Sequence, residues 1–78
     1  MYLGNQSFYK KDICIYILAE LLIHKKLDVE SILNFTGISR HTLVRYVSSI
    51  KNALFDFGYY NIEIYFDRTY SCYRCIID

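Results

Sequence analysis

Two groups of residues in this chain have types and spacings that suit chemistry. The first lies in "TGISRHTLVRYVSSI", residues 36–50, where Arg40, His41 and Arg45 fall close together and Lys51 follows directly. No Asp or Glu occurs between Glu30 and Asp56. Cationic groups without nearby acids suit an anion, above all a phosphate backbone. The second group is the pair Cys72 and Cys75, at C-x-x-C spacing, with Cys14 far upstream. A structural zinc site needs four ligands, and His24 and His41 stand too far apart to supply a histidine half-site. A redox C-x-x-C normally opens a helix, which lowers the thiol pKa. Here it lies in a late segment with strand-like alternation, and a period of two puts Cys72 and Cys75 on opposite faces. The expectation is packed thiols, with no metal and no cofactor. No Ser/His/acid or Cys/His constellation and no Gly-rich phosphate loop is present, so no enzyme and no small-molecule substrate is expected.

These groups must be positioned by a small chain. It has 78 residues, of which 54% are hydrophobic and 18% aromatic, with nine Tyr, three Gly and no Pro. That length holds one domain, residues 1–78. The net charge of +1 argues against a strong nonspecific polyanion binder, although binding responds to charge distribution as well as to the sum. The densest apolar run, "ICIYILAELLI", is interrupted by Glu20 and is shorter than a membrane span. No charged segment followed by an apolar run and a small-residue cleavage site opens the chain. The expectation is a cytoplasmic protein without a membrane partner.

Periodicity predicts mainly helix with one β-hairpin. The first helix spans about 8–25, capped by Ser7, with Cys14, Ile17, Leu18 and Leu21 as its buried stripe. Ile15, Leu22 and Ile23 broaden its apolar surface beyond one face and suggest a partner, either a second copy (a homodimer) or more of a longer chain. The second helix spans about 29–36, with Asp28 as N-cap, Glu30 in the first turn, Ile32 and Leu33 inward, and Gly37 as terminator. The third spans about 40–56, capped by Ser39 and ended by Gly58. The short gap between them is a helix–turn–helix connection.

After Gly58 the period changes to two. Segments 60–67 and 71–77 form a hairpin whose apolar face carries Ile62, Ile64 and Phe66. A four-residue loop "DRTY" pairs Ile62 with Cys75, Ile64 with Tyr73 and Phe66 with Ser71, which keeps all of them on one face. Burying that face against the helices gives a three-helix winged helix–turn–helix.

On a wheel of the third helix, Leu43, Val47, Ile50 and Leu54 fall within about 60° of one another and form the core stripe. Opposite lie His41, Val44, Arg45, Ser48 and Asn52. Such side chains suit base edges: Arg forks onto guanine, Asn onto adenine, and an apolar group meets the thymine methyl. Ser39, Arg40 and Thr42 at the helix start, with Lys51 on its flank, suit phosphate. Arg68 at the hairpin tip suits the flanking backbone.

The segment "VESILNFTGISRHTLVRYVSSI" resembles the helix–turn–helix of Mga-, BglG- and DeoR-type bacterial transcription regulators. The resemblance rests on Ile32, Leu33, Gly37, Ile38, Ser39, Arg40, Thr42, Leu43, Val47 and Ile50, and extends over roughly residues 12–78. It departs from the family at Leu33, where a small residue is usual, and at Tyr46, where a charged one is frequent. It implies sequence-specific binding of double-stranded DNA in transcription regulation, with residues 39–56 in the major groove and 60–77 as the wing. Such a module usually opens a longer regulator, and Met1 fits either that arrangement or a small stand-alone protein. The alternative is a winged helix that binds another protein and does not touch DNA.

Overall fold

The computed structural model describes residues 8–78. Its elements run α1 (Lys10–His24), β1 (Lys26–Asp28), α2 (Val29–Thr36), α3 (Arg40–Asp56), β2 (Ile62–Asp67) and β3 (Cys72–Ile77). Three helices lie against one small antiparallel sheet, as expected for a winged helix–turn–helix. The sheet has three strands, in the order β1-β3-β2, where the sequence predicts two. Lys26–Asp28 follows α1 directly and pairs Lys26 with Arg74, Leu27 with Tyr73 and Asp28 with Cys72. Leu27 is the only inward residue of this short strand, too little for an alternation to announce it.

The expected cap at Ser7 lies outside the described residues. Helix α1 has Tyr9 as N-cap, with no side-chain hydrogen bond, and ends at Lys25, whose φ of 64° is left-handed. Its buried stripe is Ile13, Ile17 and Leu21, a spacing of four. Cys14 and Leu18, expected at the centre, are half-buried beside it. The extra strand explains this rotation, because α1 packs on β1 and β3 as well as on α3.

The other two helices begin and end for local reasons. The Asp28 carboxylate accepts from the Ser31 N–H at 3.0 Å and from the Ser31 hydroxyl at 2.9 Å, starting α2. Gly37, at φ 78°, takes the left-handed position and donates its N–H to the Leu33 carbonyl at 2.8 Å. Ser39 Oγ accepts from the Thr42 N–H at 3.1 Å and starts α3. At the other end of α3, Gly58 N–H donates to Phe55 O and Tyr59 N–H to Leu54 O, a Schellman closure with Gly58 at φ 88°.

The core joins all six elements. It comprises Ile13, Ile17 and Leu21 of α1, Leu27 of β1, Val29 and Ile32 of α2, Leu43, Val47 and Ile50 of α3, and Ile64, Tyr73 and Cys75 of the sheet. Leu33 and Leu54 pack against it half-buried, while Phe35 is exposed beside the rings of Phe8 and Tyr16.

The hairpin register is a correction. Ile62 pairs with Ile77, Ile64 with Cys75, Phe66 with Tyr73 and Asp67 with Cys72. The loop does hold four residues, but they are Arg68–Ser71 rather than "DRTY". Asp67 stays in the ladder because its carboxylate accepts the Thr69 N–H at 3.0 Å, the Tyr70 N–H at 3.4 Å and Arg74 Nε at 2.7 Å. Ser71 closes the loop at φ 50°. The slip moves each partner by two positions, so the apolar residues keep their face.

Candidate nucleic-acid interface

Helix α3 buries Leu43, Val47 and Ile50 at 0%, 3% and 7% exposure, and this fixes which way its other side points. His41, Val44, Arg45, Ser48 and Asn52 are all exposed, and the steps 41–44–48–52 and 41–45–48–52 are each three or four residues, which places them along one strip. Val44, at 47% exposure, is the apolar member of the strip. A shallow cleft of about 300 Å³ separates it from the wing, lined by Val29, Arg40, Leu43, Val44, Phe66 and Tyr73. Phe66 and Tyr73 meet there with ring centroids 5.2 Å apart.

The residues expected to hold phosphate divide into two groups. Lys51 and Arg68 are exposed, and neither joins an ion pair among the described residues. Arg40, by contrast, donates from Nη2 to Glu30 Oε2 at 2.7 Å, an ion pair that ties the start of α3 to α2. Ser39 and Thr42 are likewise engaged: Ser39 Oγ–H donates to Thr42 Oγ1 at 2.9 Å while capping the helix. These three therefore shape the helix start, and the cationic groups left open lie along the strip and at the wing tip.

Two further contacts, one beside α3 and one in the wing, were not expected. Lys10, at the start of α1, places its ammonium 5.5 Å from the centroid of the Tyr46 ring. This brings a cation from another element beside α3, and Tyr46 is half-buried beneath it. No periodicity could signal a contact between positions so far apart in the chain. In the wing, Arg74 lies 5.5 Å from the Tyr70 centroid and is bonded to Asp67. The Arg74 guanidinium holds the Asp67 carboxyl below the usual carboxylate range, and Asp67 in turn raises Arg74. Arg74 thus braces the loop that presents Arg68.

The cysteines are free thiols. Cys75 lies in the core, and Cys72 is buried outside that cluster, where β3 pairs with Asp28 on one side and Asp67 on the other. Burial pushes the Cys75 and Cys14 thiols up, with Lys25 and Lys10 opposing the rise. That is the reverse of what a thiolate nucleophile or ligand needs. Among the described residues no group of His, Cys, Asp or Glu has the arrangement of a metal site, and no helix is long and apolar enough to cross a membrane.

Of the three residues expected to face a partner, Ile15 and Ile23 are 66% and 71% exposed, while Leu22 is half-buried and packs against the core. A larger apolar surface lies at the far end of α3, where Phe55, Phe57, Tyr59 and Tyr60 are exposed. Periodicity does not reveal it, because these residues sit in a helix end and a turn.

The profile of the Mga helix–turn–helix domain matches residues 5–70. No curated protein and no solved structure gives a significant match.

Proposed function

This chain belongs to the Mga helix–turn–helix domain family, and from that premise we propose that it binds double-stranded DNA in a sequence-dependent way and regulates transcription in the cytoplasm. Helix α3 enters the major groove with His41, Val44, Arg45, Ser48 and Asn52 toward the base edges. The free N–H groups at its start, Lys51 and Arg68 take the phosphates that frame the groove. Arg40 joins them to the extent that Glu30 releases it.

The observation that carries this reading is the continuous exposed strip on α3. It combines a forked cation, an amide, a hydroxyl, an imidazole and one apolar contact, and no described acidic side chain is bonded to any of them. Base readout draws on this set of groups. Selection from a random duplex library tests it: recovery of one enriched sequence supports the reading, and recovery of none overturns it.

A second reading, docking of another protein, is favoured by one observation, the exposed aromatic end formed by Phe55, Phe57, Tyr59 and Tyr60. Substituting Arg45 separates the two, because it removes a base contact and leaves that end intact.

A further inference from the structure

Strand β2 ends the sheet, and its outer edge is open among the described residues. The direction of its main-chain groups follows from the ladder. Asp78 N–H donates to Asn61 O, in register with the β2–β3 pairing. Hydrogen-bonded pairs alternate along an antiparallel ladder, so Asn61, Glu63, Tyr65 and Asp67 face β3. The carbonyls of Ile62, Ile64 and Phe66, with the N–H groups of Ile64 and Phe66, therefore point outward. The Ile62 N–H is already taken by Tyr59 O at 3.3 Å.

Natural sheet edges are normally blunted by lysine, proline or a bulge. Strand β2 has no lysine, proline or bulge, its charged side chains are Glu63 and Asp67, with Asp67 bonded to Arg74, and its pairing with β3 is continuous from Ile62 to Asp67. Beside this edge, on the helix side, runs a groove of about 490 Å³ bounded by Lys51, Leu54, Phe55, Tyr59 and Tyr60. An added strand would send its inward side chains into that space.

We propose that a second copy of this chain adds its own β2 to this edge, making a continuous six-stranded sheet across a two-fold axis at Ile64. The case for a second copy is that Ile62-Glu63-Ile64-Tyr65-Phe66 is self-complementary about its centre. Antiparallel pairing there sets Ile62 against the partner's Phe66 and Glu63 against the partner's Tyr65. The two Ile64 residues exchange both hydrogen bonds, and each Phe66 N–H donates to the partner's Ile62 carbonyl. Glu63 meets a phenol rather than another carboxylate; a two-residue shift would oppose Glu63 to itself, which is unfavourable. The interface is isologous, as closed dimers require. The two wing loops leave at opposite ends, and both copies of α3 lie on one side of the sheet.

The test needs no DNA and so stands apart from the proposed function. Sedimentation of the full chain is expected to show a concentration-dependent species of twice the 9.3 kDa chain mass. Phe66→Pro removes an outward N–H that β3 does not use, and is expected to give a monomer with an unchanged circular dichroism spectrum. Ile15→Ser with Ile23→Ser is expected to leave the dimer intact. Register is read by mild oxidation in a Cys14→Ala background: chains carrying Glu63→Cys cross-link when mixed with chains carrying Tyr65→Cys, and neither cross-links alone. If Phe66→Pro does not fold, the cross-linking decides. A chain that stays monomeric at every concentration, a dimer abolished by the α1 substitutions or kept by a folded Phe66→Pro, or self-linking of Tyr65→Cys would overturn the proposal.

Discussion

Arg40 Nη2 lies 2.7 Å from Glu30 Oε2, joining the first turn of α3 to α2 across the helix–turn–helix. The pair is exposed, so its contribution to stability is small, about 0.2–1 kcal/mol. Its larger consequence is electrostatic, because it occupies a cation at the start of α3. Glu30→Gln is expected to free Arg40, strengthen duplex binding and steepen the salt dependence by about 0.9 in log–log slope, the signature of one added phosphate contact. Anisotropy titrations at several salt concentrations check this; an unchanged slope would show that Arg40 is not redirected to phosphate.

Ser39 holds α3 in place through its cap on Thr42. Ser39→Ala is expected to cost about 1 kcal/mol, which for a domain of this size lowers the melting temperature by roughly 4–8 °C. Ser39→Asp should retain most of the stability, since aspartate caps as well as serine. Thermal melts of both variants distinguish a cap from a hydroxyl needed only for contact with DNA.

Gly37 is tested in the same way. A Cβ at this position would meet no atom within 4 Å, yet its φ is +78°. Gly37→Ala is therefore expected to destabilise by about 1–2 kcal/mol through backbone conformation alone. Urea unfolding checks it, and a neutral result would mean that the turn relaxes to another shape.

Acid should loosen the wing and the start of α2. Arg74 holds the Asp67 carboxyl low, and the Ser31 N–H and hydroxyl hold Asp28 low. A carboxyl depressed in the folded state adds stability that is present above its unfolded pKa, about 3.9, and is lost as pH falls through the folded value. Urea midpoints should therefore drop below about pH 4, and Asp67→Asn should flatten part of that decline. A midpoint that stays constant down to pH 2 would contradict both assignments.

How much of this was legible in the sequence depended on the signal behind each feature. The caps at Asp28 and Ser39 and the turn at Gly37 were readable because each depends on a residue type at a local position. So was the division of α3 into Leu43, Val47 and Ile50 against His41, Arg45 and Ser48, because the helical period separates them. Parity placed Ile64, Tyr73 and Cys75 correctly in the core, but Phe66 and Ile77, expected there too, are exposed and Cys72, expected on the other face, is buried, and the register was not readable. It depended on whether Asp67 stayed in the ladder, and that was decided by bonds to Thr69, Tyr70 and Arg74 across the loop. Strand β1 left one inward side chain, Leu27, and no pattern. The Glu30–Arg40 and Lys10–Tyr46 contacts required the tertiary structure, since each joins different elements.

The central claim is that the exposed strip of α3 reads DNA, and Arg45 is its most direct probe. The measurement is fluorescence anisotropy of the chain and its Arg45→Ala variant on the selected duplex and on an unrelated one, across salt. The account predicts tight binding of the selected duplex, a loss of about 1–3 kcal/mol on Arg45→Ala that is specific to it, and little change on the unrelated duplex. Equal binding to both duplexes, or an Arg45→Ala variant that binds the selected duplex as tightly as the native chain, would contradict it.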